Sequence, residues 1–259
     1  MYAARRLAIV VDFDGTILPS TPWDSEQELL LARAEAPDLP PLKRWHCRLA
    51  ALADRRRWLG DSFKRHYVHL LLGARRDLID ELATRLAQRV ASGTQRGLRE
   101  LRERGHRLIV ASCGTADLSE GVLRAAGVLD VFEELIGNRF VFTDGVIAGI
   151  DLSVPTPQSK VEELRRRGLA PESTVAVGDG PTDLPLQFPG LLGVAGDGIG
   201  LLALPVLPGH KRDPQRGQDW RRGQHLRVAG GQCEGHRVPV LAAHLGQRRV
   251  VLQRHLVPL

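Results

Sequence analysis

The chain has 259 residues, 43% of them hydrophobic and 25% charged, a globular balance that excludes collagen-like, mucin-like and disulfide-scaffold proteins. Its formal charge of +6 is unevenly spread: residues 201–259 hold ten Lys/Arg against three acids, and the other 26 basic and 27 acidic residues nearly cancel. The pattern is that of a neutral protein with a basic tail, so overall basicity is no argument for nucleic-acid binding.

No stretch approaches the ~20 apolar residues of a membrane span. Arg5-Arg6 lead only into a short apolar run without a small-residue cleavage site, so a cytoplasmic protein with no membrane partner is expected. Cys47, Cys113 and Cys233 are odd in number and unpaired by CxxC spacing, which argues against a disulfide framework or a zinc site.

In chain order, Arg6 to Val11 is a β-branched apolar run ending in Asp12-Phe13-Asp14-Gly15-Thr16, the pattern of a buried parallel strand and a tight loop. Ser25-Glu26-Gln27-Glu28 reads as a capping box. Helical spacing follows through Leu42 to Leu52, Phe63 to Leu72 and Leu78 to Val90, punctuated by Pro37, Pro40, Pro41 and the glycines at 60, 73 and 93. About four helices are therefore expected within residues 19–92. Arg55, Arg56, Arg57, Arg75 and Arg76 read as solvated helix faces, and Trp23 as packing at the hinge of this insertion.

After Gly93 helix and strand alternate. Thr94 opens a helix ending at Gly105, and His106 to Ala111 is a buried strand leading into Ser112-Cys113-Gly114-Thr115. Asp117 to Ala126 is helical, and Phe140 to Ile150 forms a hairpin around Asp144-Gly145. Gln158 to Arg167 is helical, and Thr174 to Val177 is a strand running into Gly178-Asp179-Gly180. The alternation predicts a doubly wound α/β sheet with its site at the strand C-termini.

Four stretches would meet there: Asp12 to Thr16, Ser112, Lys160 at the opening of a helix, and Asp179-Gly180-Pro181-Thr182-Asp183. Singly they carry little, since DxD suits an Asx turn, serine commonly follows a strand and lysine usually faces solvent. In this order they closely resemble the haloacid dehalogenase superfamily of phosphotransferases over roughly residues 6–190. The insertion between the DxDGT loop and Ser112, together with the hairpin, is similar to the phosphoserine-phosphatase-like branch.

The resemblance implies a Rossmann-like, three-layer parallel-sheet core (1–18 and 93–200) with a helical cap (19–92) inserted after the first strand. It implies a phosphomonoesterase acting on a small phosphorylated metabolite. Asp12 would be the nucleophile and Asp14 the acid and base. Ser112, with the backbone amides of Cys113 and Gly114, and Lys160 would bind phosphate. Mg²⁺ would be held by Asp12, the Asp14 carbonyl, Asp179 and Asp183. The branch's cap glutamate position is occupied by Leu18-Pro19-Ser20-Thr21, and Cys113 replaces a glycine, so phosphoserine and another small phosphorylated metabolite both stay open as substrate. A phosphotransferase or mutase, or a non-catalytic protein binding through its basic tail, are the alternatives.

Cys113 has no histidine placed to make it a nucleophile, and Gly196 to Gly200 lacks the βαβ context of a dinucleotide fingerprint. From Leu201 to Leu259 there is no Ser, Thr, Asn, Ile, Phe, Tyr or Met. That composition reads as a frame shift near residue 200, with a basic arm for an acidic partner as the alternative; either way a poorly ordered tail is expected.

Overall fold

The computed structural model describes residues 6–169 and 173–179 and the backbone of residues 192–193. Asp183 and the 201–259 tail lie outside the described residues. Six strands form one sheet: β1 (Ala8–Val11), β2 (Arg107–Thr115), β3 (Phe132–Thr143), β4 (Val146–Asp151), β5 (Thr174–Gly178) and β6 (Leu192–Gly193). Their order is β4-β3-β2-β1-β5-β6, parallel throughout except for the β3–β4 hairpin. β1 occupies the centre, with Val11 opposite Val110 on one side and Val177 on the other.

Side chains alternate between two apolar layers, because successive strand residues point to opposite faces. Ile9, Val11, Leu108, Val110, Val175 and Val177 face one layer, and Val10, Ile109, Ala111 and Ala176 face the other. Both faces are covered, so these strands read as unbroken apolar runs. α7 (Pro157–Arg166) supplies Val161 and Leu164 to the second layer. α5 (Ser92–Glu103) and α6 (Ala116–Ala125) pack on the first.

Between β1 and α5 run four α-helices: α1 (Ser25–Glu35), α2 (Pro41–Arg55), α3 (Phe63–Leu71) and α4 (Arg76–Ala87). The hydrophobic core does not break at the edge of this insertion; Leu29, Tyr67, Leu82 and Leu86 share one cluster with Ile9 and Val11. A Cβ at Gly121 of α6 would stand 2.8 Å from that of Ala83 of α4, so glycine lets the two helices approach closely. Gly73 and Arg76 donate their amides to the Ile147 and Gly145 carbonyls, tying the insertion to the hairpin.

Two local readings change. The capping box is Asp24 with Gln27, one residue earlier than expected: Gln27 N donates to Asp24 Oδ1 at 2.8 Å and Asp24 N to Gln27 Oε1 at 3.3 Å. The reason is that Ser25 directs its own amide and hydroxyl to Asp14. β2 also continues past Ala111 through Thr115, which pairs with Asn138 after a slip in register. Of the arginines read as solvated, Arg55 lies 4.5 Å over the Trp23 ring and Arg76 4.6 Å over Phe142.

The crossing from β1 to α1 is closed by one side chain. Arg89, beyond α4, donates to the carbonyls of Pro19, Thr21 and Trp23 and to Glu28 Oε1 at 3.0 Å. A guanidinium can fork to several acceptors at once where an ammonium cannot. Arg89→Ala is expected to lower stability by about 2–4 kcal/mol, through loss of the charge-assisted bonds to three carbonyls and to Glu28, which is left with its longer 3.9 Å pair to Arg85. Arg89→Lys should recover only a part of this loss, and Arg75→Ala, at an exposed pair with Asp77, should leave the urea midpoint unchanged. Equal midpoints for Arg89→Ala and the wild type would show that the crossing is held elsewhere.

Candidate active site

β1 delivers Asp12 to the C-terminal edge of the sheet at its centre, where its amide donates to the Val177 carbonyl at 2.8 Å. Behind it, the amides of Thr16, Ile17 and Leu18 all turn back on the Phe13 carbonyl, and Gly15 N donates to Leu18 O at 2.7 Å. Phe13 is wholly buried and anchors this tight loop. Lys160 lies in the first turn of α7, the position where a lysine ordinarily faces solvent. Here it is 1% exposed, and its Nζ donates to Asp12 Oδ1 at 2.8 Å. The pair joins residues 148 apart in the chain.

Asp14 occupies different surroundings. Its carboxylate accepts from the Ser25 amide at 2.8 Å and the Ser25 hydroxyl at 2.7 Å, at the N-terminus of α1. Burial pushes its pKa above the usual carboxylate range, and the Ser25 bonds and the positive charges of Lys64 and Arg89 oppose that shift without cancelling it. Asp24 and Glu26 are also pushed upward, chiefly by burial. A carboxyl that keeps its proton to higher pH can act as an acid.

At the end of β2 Ser112 is buried, and its Oγ accepts the Gly114 amide at 3.0 Å. That amide, expected to face phosphate, is thus engaged within the loop. A Cβ on Gly114 would stand 3.2 Å from Ser112 Oγ and 3.5 Å from Asp14 Oδ2, so this glycine lets the Ser112 loop close on the acid. The Cys113 carbonyl accepts from Asn138 Nδ2 at 2.7 Å and from Lys64 Nζ at 2.6 Å. Burial pushes the Cys113 thiol up to about 11, which keeps it protonated and unsuited to nucleophilic attack.

Lys64, on α3, also bonds Glu26 of α1 in a nearly buried ion pair. Tyr67, one turn on, shares a 3.1 Å hydrogen bond with Thr115. The insertion therefore reaches the sheet edge with both a charged and a neutral contact. Ser25, Glu26, Lys64 and Asn138 were not singled out as site residues. Ser25 and Glu26 stood in a polar helix start whose capping pattern accounted for them locally, and a single lysine in a helical run carries no signal of its own.

Asp179, at the end of β5, lies against Gly15. Gly15 has φ +80°, and a Cβ there would fall 2.0 Å from Asp179 Oδ2, so only glycine admits this carboxylate beside the Asp12–Thr16 loop. Among the described residues no three His, Cys, Asp or Glu side chains form a ready metal cage. The Asp12 and Asp179 carboxylates and the Asp14 carbonyl are nevertheless hard oxygen donors. They fit Mg²⁺, which is commonly held by one or two carboxylates with water and phosphate completing its shell. A shallow hollow lined by Arg6, Arg107 and Ser173 lies at the opposite end of the strands and takes no part in this constellation.

Residues 9–187 match the haloacid dehalogenase-like hydrolase family. A phosphoserine phosphatase of Halobacterium salinarum is 32% identical over 115 residues, which are 43% of this chain and 51% of that protein. The match thus spans about half the length of this curated relative. Among solved structures, a phospho-aspartyl intermediate analogue of phosphoserine phosphatase superposes with a TM-score of 0.53 at 21% identity, covering 71% of this chain and 82% of that one. Cytosolic 5'-nucleotidase IIIB bound to cytidine gives 0.52 at 20% identity, with 69% and 67% covered. These likenesses share the α/β fold described above, and with the family match over more than half of its length the chain belongs to the haloacid dehalogenase-like hydrolases.

Proposed function

We propose that the chain is a Mg²⁺-dependent phosphomonoesterase that hydrolyses a small phosphorylated metabolite through an aspartyl phosphate on Asp12. The observation that carries this reading is the pair of carboxylates two residues apart in opposed environments. Asp12 is held by the buried Lys160, and Asp14 is kept above its ordinary pKa by burial. Family membership and the 32% identical phosphoserine phosphatase support it.

A phosphate monoester is a dianion, so a carboxylate reaches its phosphorus only where positive charge offsets the repulsion. Lys160 supplies one such charge and fixes the orientation of Asp12. Mg²⁺ bound by Asp12, the Asp14 carbonyl, Asp179 and Asp183 would add positive charge beside the phosphoryl oxygens. An Asp12 oxygen attacks phosphorus as the bond to the leaving oxygen breaks, and Asp14 gives that oxygen its proton. Asp14, now a carboxylate, takes a proton from water as the water oxygen attacks the aspartyl phosphate. The bond from phosphorus to the Asp12 oxygen then breaks and phosphate is freed. The Ser112 hydroxyl and the Cys113 amide would line the phosphoryl pocket, and the Gly114 amide, which bonds Ser112 Oγ, would have to leave that bond to join them. Lys64 and Glu26 are the charged groups that the leaving group meets beside Asp14.

Asp12→Asn should abolish phosphate release from a panel of phosphorylated metabolites at temperatures where the variant is folded, because the amide keeps the shape and loses the nucleophile; its thermal transition should fall, since the buried Lys160 loses the charge of Asp12. Asp14→Asn should slow turnover by about 10²–10⁴-fold with alkyl phosphates and much less with nitrophenyl phosphate, whose leaving group needs no proton. Phosphate release by Asp12→Asn, or an equal loss with both ester types for Asp14→Asn, would contradict the assigned roles.

Ser25 bonds pull the Asp14 pKa down, so Ser25→Ala should let it rise further. Asp14 then holds its proton to higher pH, and the alkaline limb of kcat/KM should move upward. An unmoved limb with a uniformly lower rate would reduce Ser25 to a structural part. For the metal, activity should vanish in EDTA and return with Mg²⁺, and Asp179→Ala should raise the Mg²⁺ concentration required. EDTA-resistant activity would remove the metal from the scheme.

A further inference from the structure

The outermost helix of the insertion presents its larger apolar side chains on the wrong side for a core. α2 packs inward through Cys47, Ala50 and Ala51, all small and buried. Its outward face carries Leu42, Trp45, Leu49 and Leu52, at 67%, 57%, 39% and 40% exposure, and Trp58 beyond its end is 72% exposed. At 100° per residue the four helical positions fall on one stripe opposite the buried face. Scattered exposed leucines need no explanation, but a stripe of three leucines and a tryptophan, with a second exposed tryptophan just past the helix end, does.

The charge near the stripe identifies its partner. Between Pro41 and Arg57 the chain has six cations against the single acid Asp54; Arg55 lies over the Trp23 ring and Arg44 bonds the Leu39 and Pro37 carbonyls, so the argument rests on Lys43, Arg48, Arg56 and Arg57. A second copy of the chain seated on this face would bring the two sets of cations together in an apolar contact, which is repulsive. An anionic lipid surface suits both the apolar stripe and the cations near it. It takes leucines into its apolar boundary, tryptophans at headgroup level and Lys/Arg against its phosphates.

We propose that the outer face of α2, with Trp58, docks the protein peripherally on an anionic lipid surface. This revises the expectation of no membrane partner without implying a span, since none of the described helices is long and apolar enough to cross a membrane. It stands independently of the phosphatase reading.

The test is co-sedimentation of the full chain with phosphatidylcholine vesicles, pure or containing about one third phosphatidylserine. The expected result is binding to the anionic vesicles only, weakened by salt and accompanied by a blue shift of tryptophan emission. The double variant Leu49→Gln/Leu52→Gln keeps every charge in the chain, including those of residues 201–259, and should partition about tenfold more weakly with an unchanged thermal midpoint. Trp58→Gln, beyond the helix end, should weaken binding in the same direction and serves if the double variant fails to fold.

Wild-type partition of the folded variants would assign any binding to another basic surface and overturn the proposal. So would a failure to bind anionic vesicles, as expected if the stripe serves an acidic protein. A vesicle-free dimer that dissociates in the double variant would assign the stripe to a second copy, and would overturn it equally.

Discussion

Placing the Asp12 carboxylate at the buried centre of the sheet edge demands a cation, and much of the architecture provides one. An ionised group taken out of water is costly unless it is paired and hydrogen-bonded. The partner is Lys160, itself 1% exposed, which must reach the carboxylate from the first turn of α7. Pro157 at the helix start and the reciprocal bonds between Thr156 and Ser159 hold that turn in place. Val161 and Leu164 anchor the same helix in the apolar layer formed by Val10, Ile109 and Ala176. The packing of α7 thereby positions the charge, and the charge makes the burial of Asp12 tolerable.

The second carboxylate is organised from the other side of the chain's one large insertion. Asp14 is gripped by Ser25 at the start of α1, so the helix that opens the insertion also orients the proposed acid. Arg89 staples the crossing that leads to this helix, and Lys64 ties Glu26 of α1 to the Cys113 carbonyl near the end of β2. A displacement of α1 would consequently be felt at Asp14 and at the Ser112 loop together. The insertion is set apart in chain order, but in energetic terms it is part of the candidate site.

The fold was largely legible because its signals are local and periodic. The β-branched run at Ile9 to Val11, the Asp144-Gly145 turn and the glycines closing helices each declare themselves within a few residues. Asp12, Asp14 and Asp179 were legible as an ordered motif. Ser25 was read as a cap, and its bonds to Asp14 depend on how the crossing folds back; Lys64 and Asn138 meet only at the Cys113 carbonyl, from α3 and β3. Such long-range convergence leaves no spacing to read. Periodicity likewise located α2 correctly but could not tell which face is buried, since leucine outside and alanine inside repeat at the same interval as the reverse. The tail and Asp183 lie beyond the described residues.

One loop thus holds two carboxylates to which the surrounding structure gives opposite treatment. A cation is bonded to Asp12, whereas at Asp14 burial outweighs the Ser25 hydrogen bonds and the more distant charges of Lys64 and Arg89. In the proposed reaction, separating two like groups in this way would let a single chemistry serve attack and protonation in the same step. The separation rests on chain direction: Asp12 is the last residue held by the sheet, Phe13 is buried beneath the turn, and Asp14 emerges toward α1. A one-residue spacing would put the second carboxylate at the position of Phe13, wholly buried in the apolar layer and turned away from Asp12. The DxD interval is therefore a geometric requirement, met by one buried phenylalanine and by a glycine at φ +80° that admits Asp179.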